Sequence, residues 1–228
     1  PGDENPRPVQ DAFDLLRAAA SKRKRSRVSS NDSAQGNALP PGLLVCPHEQ
    51  LQGQYLVKNF VTESEERDLI QWLDTEVPNS WHLGHFNGPA YRKCWGPRID
   101  LMKRRVDSEL HPMPPILLKL CLRMRKLDKV PPLHRFMPDE ANAIDYRREQ
   151  GHYLRHHFDD RHLNGDILVN LCLAGDCVMT YKNGSRAIDV HLPARGLQIQ
   201  TGDTRYHWQH GIRNESLLSP RRISITFR

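Results

Sequence analysis

The stretch DILVNLCLAGDCVMTYKNGSRAIDVHL, residues 166–192, carries the pattern that decides the fold. Two short apolar runs, 166–173 and 177–181, are separated by an Ala-Gly-Asp turn. Asn-Gly at 183–184 is a strong hairpin signal, and a third run follows at 187–192. Short strands at close, regular spacing are typical of a β-sandwich or barrel.

The same β-like texture extends to both sides of this stretch. It begins near Ala141 and continues through segments at 197–201, 207–212 and 221–228. No internal repeat accompanies these segments. They therefore predict one layered β structure over the second half of the chain.

Two helices are predicted upstream of the strands, and residues 51–60 predict one more strand. The segment TESEERDLIQWLDTEV opens with a capping box from Thr62 to Glu65, which predicts a helix to about Glu76. PPILLKLCLRMRKL, residues 114–127, predicts a second helix with a basic face. Helices followed by a run of strands predict an α+β fold, a double-stranded β-helix (jelly roll) supported by N-terminal helices.

The 228 residues divide into a tail and one folded region. Residues 1–42 are polar and predict a disordered tail, whereas 43–228 predict a single domain. Within the tail, 11–20 form either a partner-docking helix or a transient one. Five basic residues within 22–27 predict a nuclear-import signal or a phosphate-binding arm. The alternative is a solvated run of charges that no partner recognises. We therefore expect a nuclear protein, with the cytoplasm as a second location.

Composition narrows the class of protein and partner. The five cysteines form no CxxC pair, which argues against a zinc knuckle or a disulfide framework and favours a reducing compartment. The mean hydropathy is -0.67 and no apolar run approaches the ~18 residues of a membrane helix. A formal charge of +6 and a pI near 9.2 favour an anionic partner.

The run HHFDD, residues 156–160, contains the first candidate metal ligands. Side chains alternate in an extended chain, so His157 and Asp159 would point the same way. A second histidine about 50 residues further on would complete a 2-His-1-carboxylate triad, the arrangement that suits iron(II) oxygenases. Taken alone, His-x-Asp is common, and an ordinary surface pair is the alternative.

The final segment, RRISITFR at 221–228, strengthens the metal interpretation. Its alternation places Arg222, Ser224, Thr226 and Arg228 on one face of a strand. A solvated face is one interpretation. The other is a bidentate arginine and hydroxyl groups that bind a dicarboxylate cosubstrate inside the barrel.

His210 is the candidate third ligand. It lies in TRYHWQHGI, where a strand would put it on the same face as Tyr206 and Trp208. In such a strand His207 would alternate to the opposite face. His156 and His162 are also out of phase with His157 or lie beyond the pair, so all three are predicted to be structural or supporting residues.

These motifs together resemble the AlkB family of dealkylating dioxygenases. The resemblance rests on Tyr146, Gly151, the His157-Phe-Asp159 run, RYxWxH ending at His210, and RxSxTxR from Arg222. YRKCWGPRIDL (91–101), the doubled aspartate at 159–160, LPARGLQIQTG (192–202) and PRRISITFR are similar to the branch known as AlkB homologue 4. The similarity covers roughly residues 50–228.

The resemblance implies a set of cofactors and contacts. Iron(II) would be bound by His157, Asp159 and His210. 2-Oxoglutarate would contact Tyr146, Arg222, Ser224 and Arg228, and molecular oxygen would be the third reactant. Asn142 is a further candidate, because it could share the face of Tyr146, although the family's asparagine position is occupied by Ile144.

Residues 81–105 are predicted to be loop-like, and the resemblance implies that such a segment covers the active site and holds the substrate. Aromatic and basic side chains alternate there, which favours a methylated base in DNA or RNA held by stacking and phosphate contacts. The predicted substrate-binding residues are Tyr91, Arg92, Trp95 and Asp160. Three alternatives remain: Trp81 and Trp95 as core aromatics, a methyl-lysine substrate facing an acidic rim at Asp160 and Asp166, and a non-catalytic binding module.

Overall fold

Two antiparallel sheets form the framework of this computed structural model, which describes residues 38–76, 79–100, 105–161 and 164–228, without the side chains of 98–100 and 105–111. The strands are β1 Leu44–Pro47, β2 Gln54–Lys58, β3 His82–Gly84, β4 Ala90–Asp100, β5 Arg105–His111, β6 Ala141–Arg147, β7 Leu154–His157, β8 Leu168–Leu173, β9 Cys177–Asn183, β10 Arg186–Leu192, β11 Leu197–Gln200, β12 Gln209–Ile212 and β13 Arg221–Phe227. The α-helices are α1 Glu63–Thr75, α2 Pro115–Met124 and α3 Gly202–His207. Short 3₁₀ turns occupy Pro131–Arg135, Arg148–Gln150 and Asn214–Ser216.

The strand order identifies the architecture. The larger sheet runs β1-β2-β11-β8-β13-β6-β4-β3, with β5 paired to β4, and the smaller sheet runs β10-β9-β12-β7. The Ala-Gly-Asp turn carries the chain from β8 in the larger sheet to β9 in the smaller one. This arrangement confirms the predicted jelly roll.

Helices α1 and α2 cover the outer face of the larger sheet. Leu69 and Leu73 of α1 belong to one buried cluster with Ile223, Ile225 and Phe227 of β13. The capping box that starts α1 is present, with both Thr62–Glu65 hydrogen bonds made. Since Ile223, Ile225 and Phe227 face the helices, the alternating residues Arg222, Ser224 and Thr226 face the space between the sheets.

The predicted basic face of α2 is partly wrong, because Arg123 is buried. Only 3% of its side chain is exposed, and its guanidinium bonds to the carboxylate of Glu65 and to the carbonyl of Phe60. This arginine ties α2 to the start of α1 and is not available to an external phosphate.

The expectation of a loop over 81–105 is wrong for its described part. β3 and β4 form a hairpin, and β4 pairs with β6 inside the larger sheet. The strand pattern is hard to recognise in the sequence because a charged residue, Lys93, lies between Tyr91 and Trp95 on the same, helix-facing side. Its ammonium group is buried, bonds to the carbonyl of Leu73 and lies 5.1 Å from the Trp81 ring centroid.

The expectation of a continuous strand over 207–212 is also wrong at its start. Residues 202–207 form α3, and β12 begins only at Gln209. Asp203 stabilises this short helix, because its carboxylate bonds to the imidazole of His207 and accepts a hydrogen bond from the Trp208 indole. His207 therefore lies on a helix, not on the opposite face of a strand.

The predicted hairpin near Asn-Gly is confirmed one residue later than expected. Asn183 pairs with Arg186, so Gly184 and Ser185 form the turn, and Gly184 has a φ of 57°. The residues of the predicted tail helix and basic segment, within 1–37, lie outside the described residues, as do 77–78, 101–104 and 162–163. Among the described helices, none has the length and apolarity to cross a bilayer.

Candidate active site between the two sheets

The structure brings His157, Asp159 and His210 together. His157 and His210 are direct partners across β7 and β12, and their ring centroids lie 4.5 Å apart. Asp159 follows β7 by two residues, and its Oδ2 lies 3.4 Å from Nε2 of His210. One ligand atom from each residue falls within 4.8 Å of the other two, which is the spacing a single metal ion requires.

The protonation states also suit a divalent cation. Nδ1 of His157 lies 2.8 Å from the carbonyl of Arg155, which can only accept, so Nδ1 carries a proton and Nε2 is the nitrogen that could face a metal. Burial lowers the pKa of His210 to about 3, so the imidazole is neutral near pH 7. Burial opposes ionisation of Asp159, but charge–charge interactions, of which that with Arg228 is the largest, outweigh it and lower its pKa to about 2.

Arg228 positions the carboxylate of Asp159. Its guanidinium donates to Oδ1 of Asp159 at 2.9 Å and to Oε1 of Glu140 at 3.2 Å. Oδ2 of Asp159 is left facing His210. Arg228 lines the cavity beside the three candidate ligands, and its contacts in this structure are these two carboxylates.

A cavity of about 50 Å³ lies between the sheets. Arg222 lines this cavity with 1% of its surface exposed, and its contacts are weak: Oδ1 of Asn170 at 3.4 Å and Sγ of Cys172 at 3.3 Å. Its Nε has no hydrogen-bond partner, and no described carboxylate lies within ion-pair distance of it. A buried, unpaired guanidinium is costly, so the site fits an anionic ligand.

Three further predicted 2-oxoglutarate contacts lie on the strands around Arg222. Tyr146 is directly opposite Arg222 across β6 and β13, and its ring centroid is 5.5 Å from the guanidinium carbon. Ser224 and Tyr146 both line the cavity. Asn142 shares the face of Tyr146 but bonds to Glu140 and does not line the cavity.

The structure places two of the four predicted substrate contacts away from the cavity. Trp95 is 3% exposed, stacks on Trp72 at 5.3 Å and donates its indole N–H to Glu76, so it is a core residue. Tyr91 pairs with Asp145 on the helix-facing side of the sheet and packs against His152, away from the cavity. The alternative that treated Trp95 as a core aromatic is the correct one.

Arg92 and Asp160 are placed differently from those two. Arg92 is opposite Ile144, which lines the cavity, and its guanidinium donates to the carbonyls of Phe86 and Gly88. Asp160 follows Asp159 directly, is half-buried, and its carbonyl accepts a hydrogen bond of 2.6 Å from Arg205. Both residues therefore lie on the site's side of the molecule.

Several site residues were missed from the sequence. Gln198 and Gln200 of β11 line the cavity, and Gln198 donates to the Tyr181 hydroxyl at 2.5 Å. Their alternation with Leu197 and Ile199 in a buried strand was the available signal. Glu140 and Arg205 had no such signal, because their partners are 88 and more than 40 residues away in sequence.

The rival histidines lie away from the ligand cluster. His207 is exposed on α3, and His156 points to the opposite face of β7, against Gly211. His162 lies outside the described residues. Within the described part of the chain, the three residues that bring their ligand atoms close enough for one metal ion are therefore His157, Asp159 and His210.

Comparisons with known proteins agree with this geometry. Residues 53–228 match the model of the 2OG-Fe(II) oxygenase superfamily. The chain is 27% identical to a DNA N6-methyl adenine demethylase of Caenorhabditis elegans over 78% of its own length and 60% of that protein. It is 26% identical to alpha-ketoglutarate-dependent dioxygenase alkB homolog 4 of Homo sapiens, over 77% of this chain and 66% of that protein. The chain thus spans about two thirds or less of these relatives.

Solved structures show the same fold. The structure of OsALKBH1 aligns with a TM-score of 0.60 at 18% identity, covering 81% of this chain and 99% of that one. A Pseudomonas putida prolyl-4-hydroxylase aligns with a TM-score of 0.50 at 14% identity, covering 77% and 92%. The predicted AlkB resemblance is confirmed, and the chain belongs to the 2OG-Fe(II) oxygenase superfamily, whose cofactors are Fe(II), 2-oxoglutarate and molecular oxygen.

Proposed function

We propose that this protein is an Fe(II)- and 2-oxoglutarate-dependent oxidative demethylase of N-methylated bases in DNA or RNA. The observation that carries the proposal is one cavity lined at one end by His157, Asp159 and His210 and at the other by the unpaired guanidinium of Arg222. A metal-chelating dicarboxylate requires a metal site and a group that binds its second carboxylate, both facing one small space.

Each end of the cavity has a separate task in this proposal. His157, Asp159 and His210 hold Fe(II) and leave open positions for cosubstrate and oxygen. Arg222 pairs with the distal carboxylate of 2-oxoglutarate, assisted by the hydroxyls of Tyr146 and Ser224. Apolar side chains such as Leu154 and Ile212 line the wall and limit the entry of water.

The proposed reaction consumes one molecule each of 2-oxoglutarate and oxygen. When bound, the iron and these two reactants supply an oxidant that inserts one oxygen atom into a C–H bond of the N-methyl group, while 2-oxoglutarate becomes succinate and CO₂. The resulting N-hydroxymethyl group breaks at its C–N bond, releasing formaldehyde and leaving N–H on the base.

A nucleic-acid substrate is supported by the hairpin of β3 and β4. The hairpin loop is attached to the strand that carries His157, because the Arg155 N–H donates to the Asn87 carbonyl at 2.6 Å. At Gly88, with a φ of 126°, a Cβ would lie 2.4 Å from the Tyr153 carbonyl, so the contact is close. Phe86, 60% exposed on this loop, offers a ring for stacking on a base.

Two relatives act on nucleic acids by their names, the C. elegans DNA demethylase and a tRNA (carboxymethyluridine(34)-5-O)-methyltransferase alkbh8 of Xenopus tropicalis. The latter is 28% identical over 82% of this chain but only 27% of that protein. With a formal charge of +6, the chain also has the sign expected for a polyanion partner.

Methyl-lysine in a protein is the second candidate substrate. It was favoured by an acidic rim at Asp160 and Asp166. The carboxylate of Asp166, however, accepts a hydrogen bond of 2.5 Å from Tyr206, and the Asp160 carbonyl is held by Arg205. The bond from Tyr206 engages the carboxylate of Asp166 internally, so the rim supports a methyl-ammonium ligand less well than the hairpin supports a base.

The test is formaldehyde and succinate formation with Fe(II) and 2-oxoglutarate over methylated DNA and RNA oligonucleotides and methyl-lysine peptides. Formaldehyde release from an oligonucleotide, at a rate that falls steeply when salt is added, supports the proposal. Release from peptides alone transfers the function to the second candidate. Absence of iron-dependent succinate from every substrate, with His210→Ala as the matched inactive control, would identify a non-catalytic binding module.

The proposed nuclear location and partner docking through 11–20 depend on residues outside the described part of the chain. The nuclear location is tested separately by following a fluorescent fusion before and after the basic residues of 22–27 are replaced by glutamine. Nuclear accumulation that persists after replacement would show that this segment is not the address.

A further inference from the structure

The three candidate ligands are held in place by different means. His157 and His210 sit at paired positions of β7 and β12, so the sheet ladder fixes their backbones. Asp159 lies beyond the last residue of β7, where no strand pairing supports it. Something other than the sheet must therefore hold the backbone that aims its carboxylate.

Arg205 makes that contact. Its guanidinium donates to the carbonyl of Asp159 at 3.1 Å through Nη1 and to the carbonyl of Asp160 at 2.6 Å through Nη2. Nε donates to the carbonyl of Gly165 at 3.4 Å, on the far side of the same loop. One side chain, 2% exposed, thus ties both ends of the segment that follows His157.

The helix that carries Arg205 is itself anchored. Thr204 is fully buried and bonds to the Gln52 carbonyl through both its backbone N–H at 3.0 Å and its hydroxyl at 2.7 Å. Arg205 therefore projects from a fixed support, and α3 leads directly into β12 and His210. Rigid support of a ligand by a neighbouring group is what fixes the geometry of metal sites in proteins.

We propose that Arg205 is a positioning residue for the metal site, which holds Asp159 in register with His157 and His210 through the backbone carbonyls of residues 159, 160 and 165. The planar fork of a guanidinium can satisfy three carbonyls at once, whereas a lysine ammonium on a flexible stem cannot match that arrangement. Arg205 touches neither substrate nor cofactor in this role. The inference rests on the proposed metal site.

The test measures metal binding without turnover. Mn(II) is titrated anaerobically into the full chain and followed by electron paramagnetic resonance, with wild type, Arg205→Gln and Arg205→Lys compared. We expect both variants to bind Mn(II) about 10- to 100-fold more weakly, the loss typical when the supporting partner of a metal ligand is removed. Hydrogen exchange should also speed up at the amides between Asp159 and Gly165.

Arg213→Gln is the matched control, because it removes the same charge from an exposed arginine whose partner is the exposed Glu215. It should leave the Mn(II) affinity unchanged. A loss equal to that of Arg205→Gln would mean that overall charge, not positioning, sets the affinity, and would overturn the inference.

The remaining outcomes separate this inference from the proposed function. A wild type that binds no Mn(II) refutes the metal site itself. A wild type that binds, with folded Arg205 variants of unchanged affinity and merely lower melting temperature, leaves the metal site standing and assigns Arg205 a structural role only. Should Arg205→Gln not fold, the same comparison is made on Arg205→Lys, and unchanged affinity there overturns the inference.

Discussion

Replacing Arg222 by methionine should separate ligand binding from folding. In the structure this guanidinium is buried, has no carboxylate partner among the described residues and leaves its Nε unbonded. A buried charge without a partner opposes folding, and an apolar side chain of similar length relieves that cost. We therefore expect the free energy of unfolding without ligand to be unchanged or higher in Arg222→Met.

The loss should appear when 2-oxoglutarate is added. A hydrogen bond to a charged group contributes about 1.5–3 kcal/mol, so losing a bidentate pair costs at least about 3 kcal/mol, roughly 100-fold in Kd. At a concentration of 100 times the wild-type Kd, 2-oxoglutarate with Mn(II) stabilises the wild type by about 2.7 kcal/mol. The variant, then near its own Kd, gains only about 0.4 kcal/mol.

Arg221→Met is the matched control. Arg221 precedes Arg222 but faces the helices, where it bonds to both oxygens of Asp74 and to Asp145. Its removal should lower the free energy of unfolding by about 1.5–3 kcal/mol or more and leave the response to 2-oxoglutarate intact. Urea unfolding with and without ligand measures both quantities. Retention of the full response of about 2.7 kcal/mol by Arg222→Met would refute the assignment of the anchor.

Three other predictions follow from the same geometry. His210→Ala should abolish Mn(II) binding in the titration described above, whereas exposed His207→Ala should bind like the wild type; the reverse result would move the ligand to α3. Trp95→Ala should lower the free energy of unfolding in urea by about 3–5 kcal/mol, whereas Phe86→Ala should change it by no more than about 0.5 kcal/mol. Phe86→Ala should instead raise the KM for a methylated oligonucleotide. An unchanged KM would remove the hairpin from the substrate site. Burial lowers the pKa of His152, whose Nδ1 accepts the Arg147 N–H at 3.0 Å, so the unfolded chain takes up a proton near pH 6.5 that the folded protein resists. The free energy of unfolding should therefore fall below pH 6.5, by up to about 1.4 kcal/mol per pH unit. An equal dependence on pH in His152→Asn would contradict this origin.

The sequence predicted most strands because one face of each packs in an apolar core and the other meets a more polar environment. In β13, Ile223 and Ile225 pack under the helices while Arg222 and Ser224 face the cavity, so apolar and polar residues alternate in the sequence. The capping box at Thr62 is equally local, since both of its hydrogen bonds lie within one helical turn. Patterns of this kind depend on neighbours two to four residues away and can be read without a structure.

The sequence failed where distant contacts override the local pattern. Lys93 interrupts the apolar side of β4, yet it is stable there because the Leu73 carbonyl satisfies its ammonium. Residues 202–207 resemble the start of a strand, but they form a short helix in which Thr204 bonds to the carbonyl of Gln52, 152 residues away in sequence. The aromatic residues of 81–105 suggested a lid, and only their pairing with β6 shows that Trp95 belongs to the core.

For the site, the sequence by itself determined which residue types were present and which of them share a face. His157 and Asp159, two apart, and Arg222 and Ser224, two apart, were predicted as pairs because strand alternation is a local property. Their meeting in one cavity and the support of Asp159 by Arg205 and Arg228 depend on strand pairings and contacts between segments more than 40 residues apart. Such distances are set only when the whole chain folds, and so only the tertiary structure decided them.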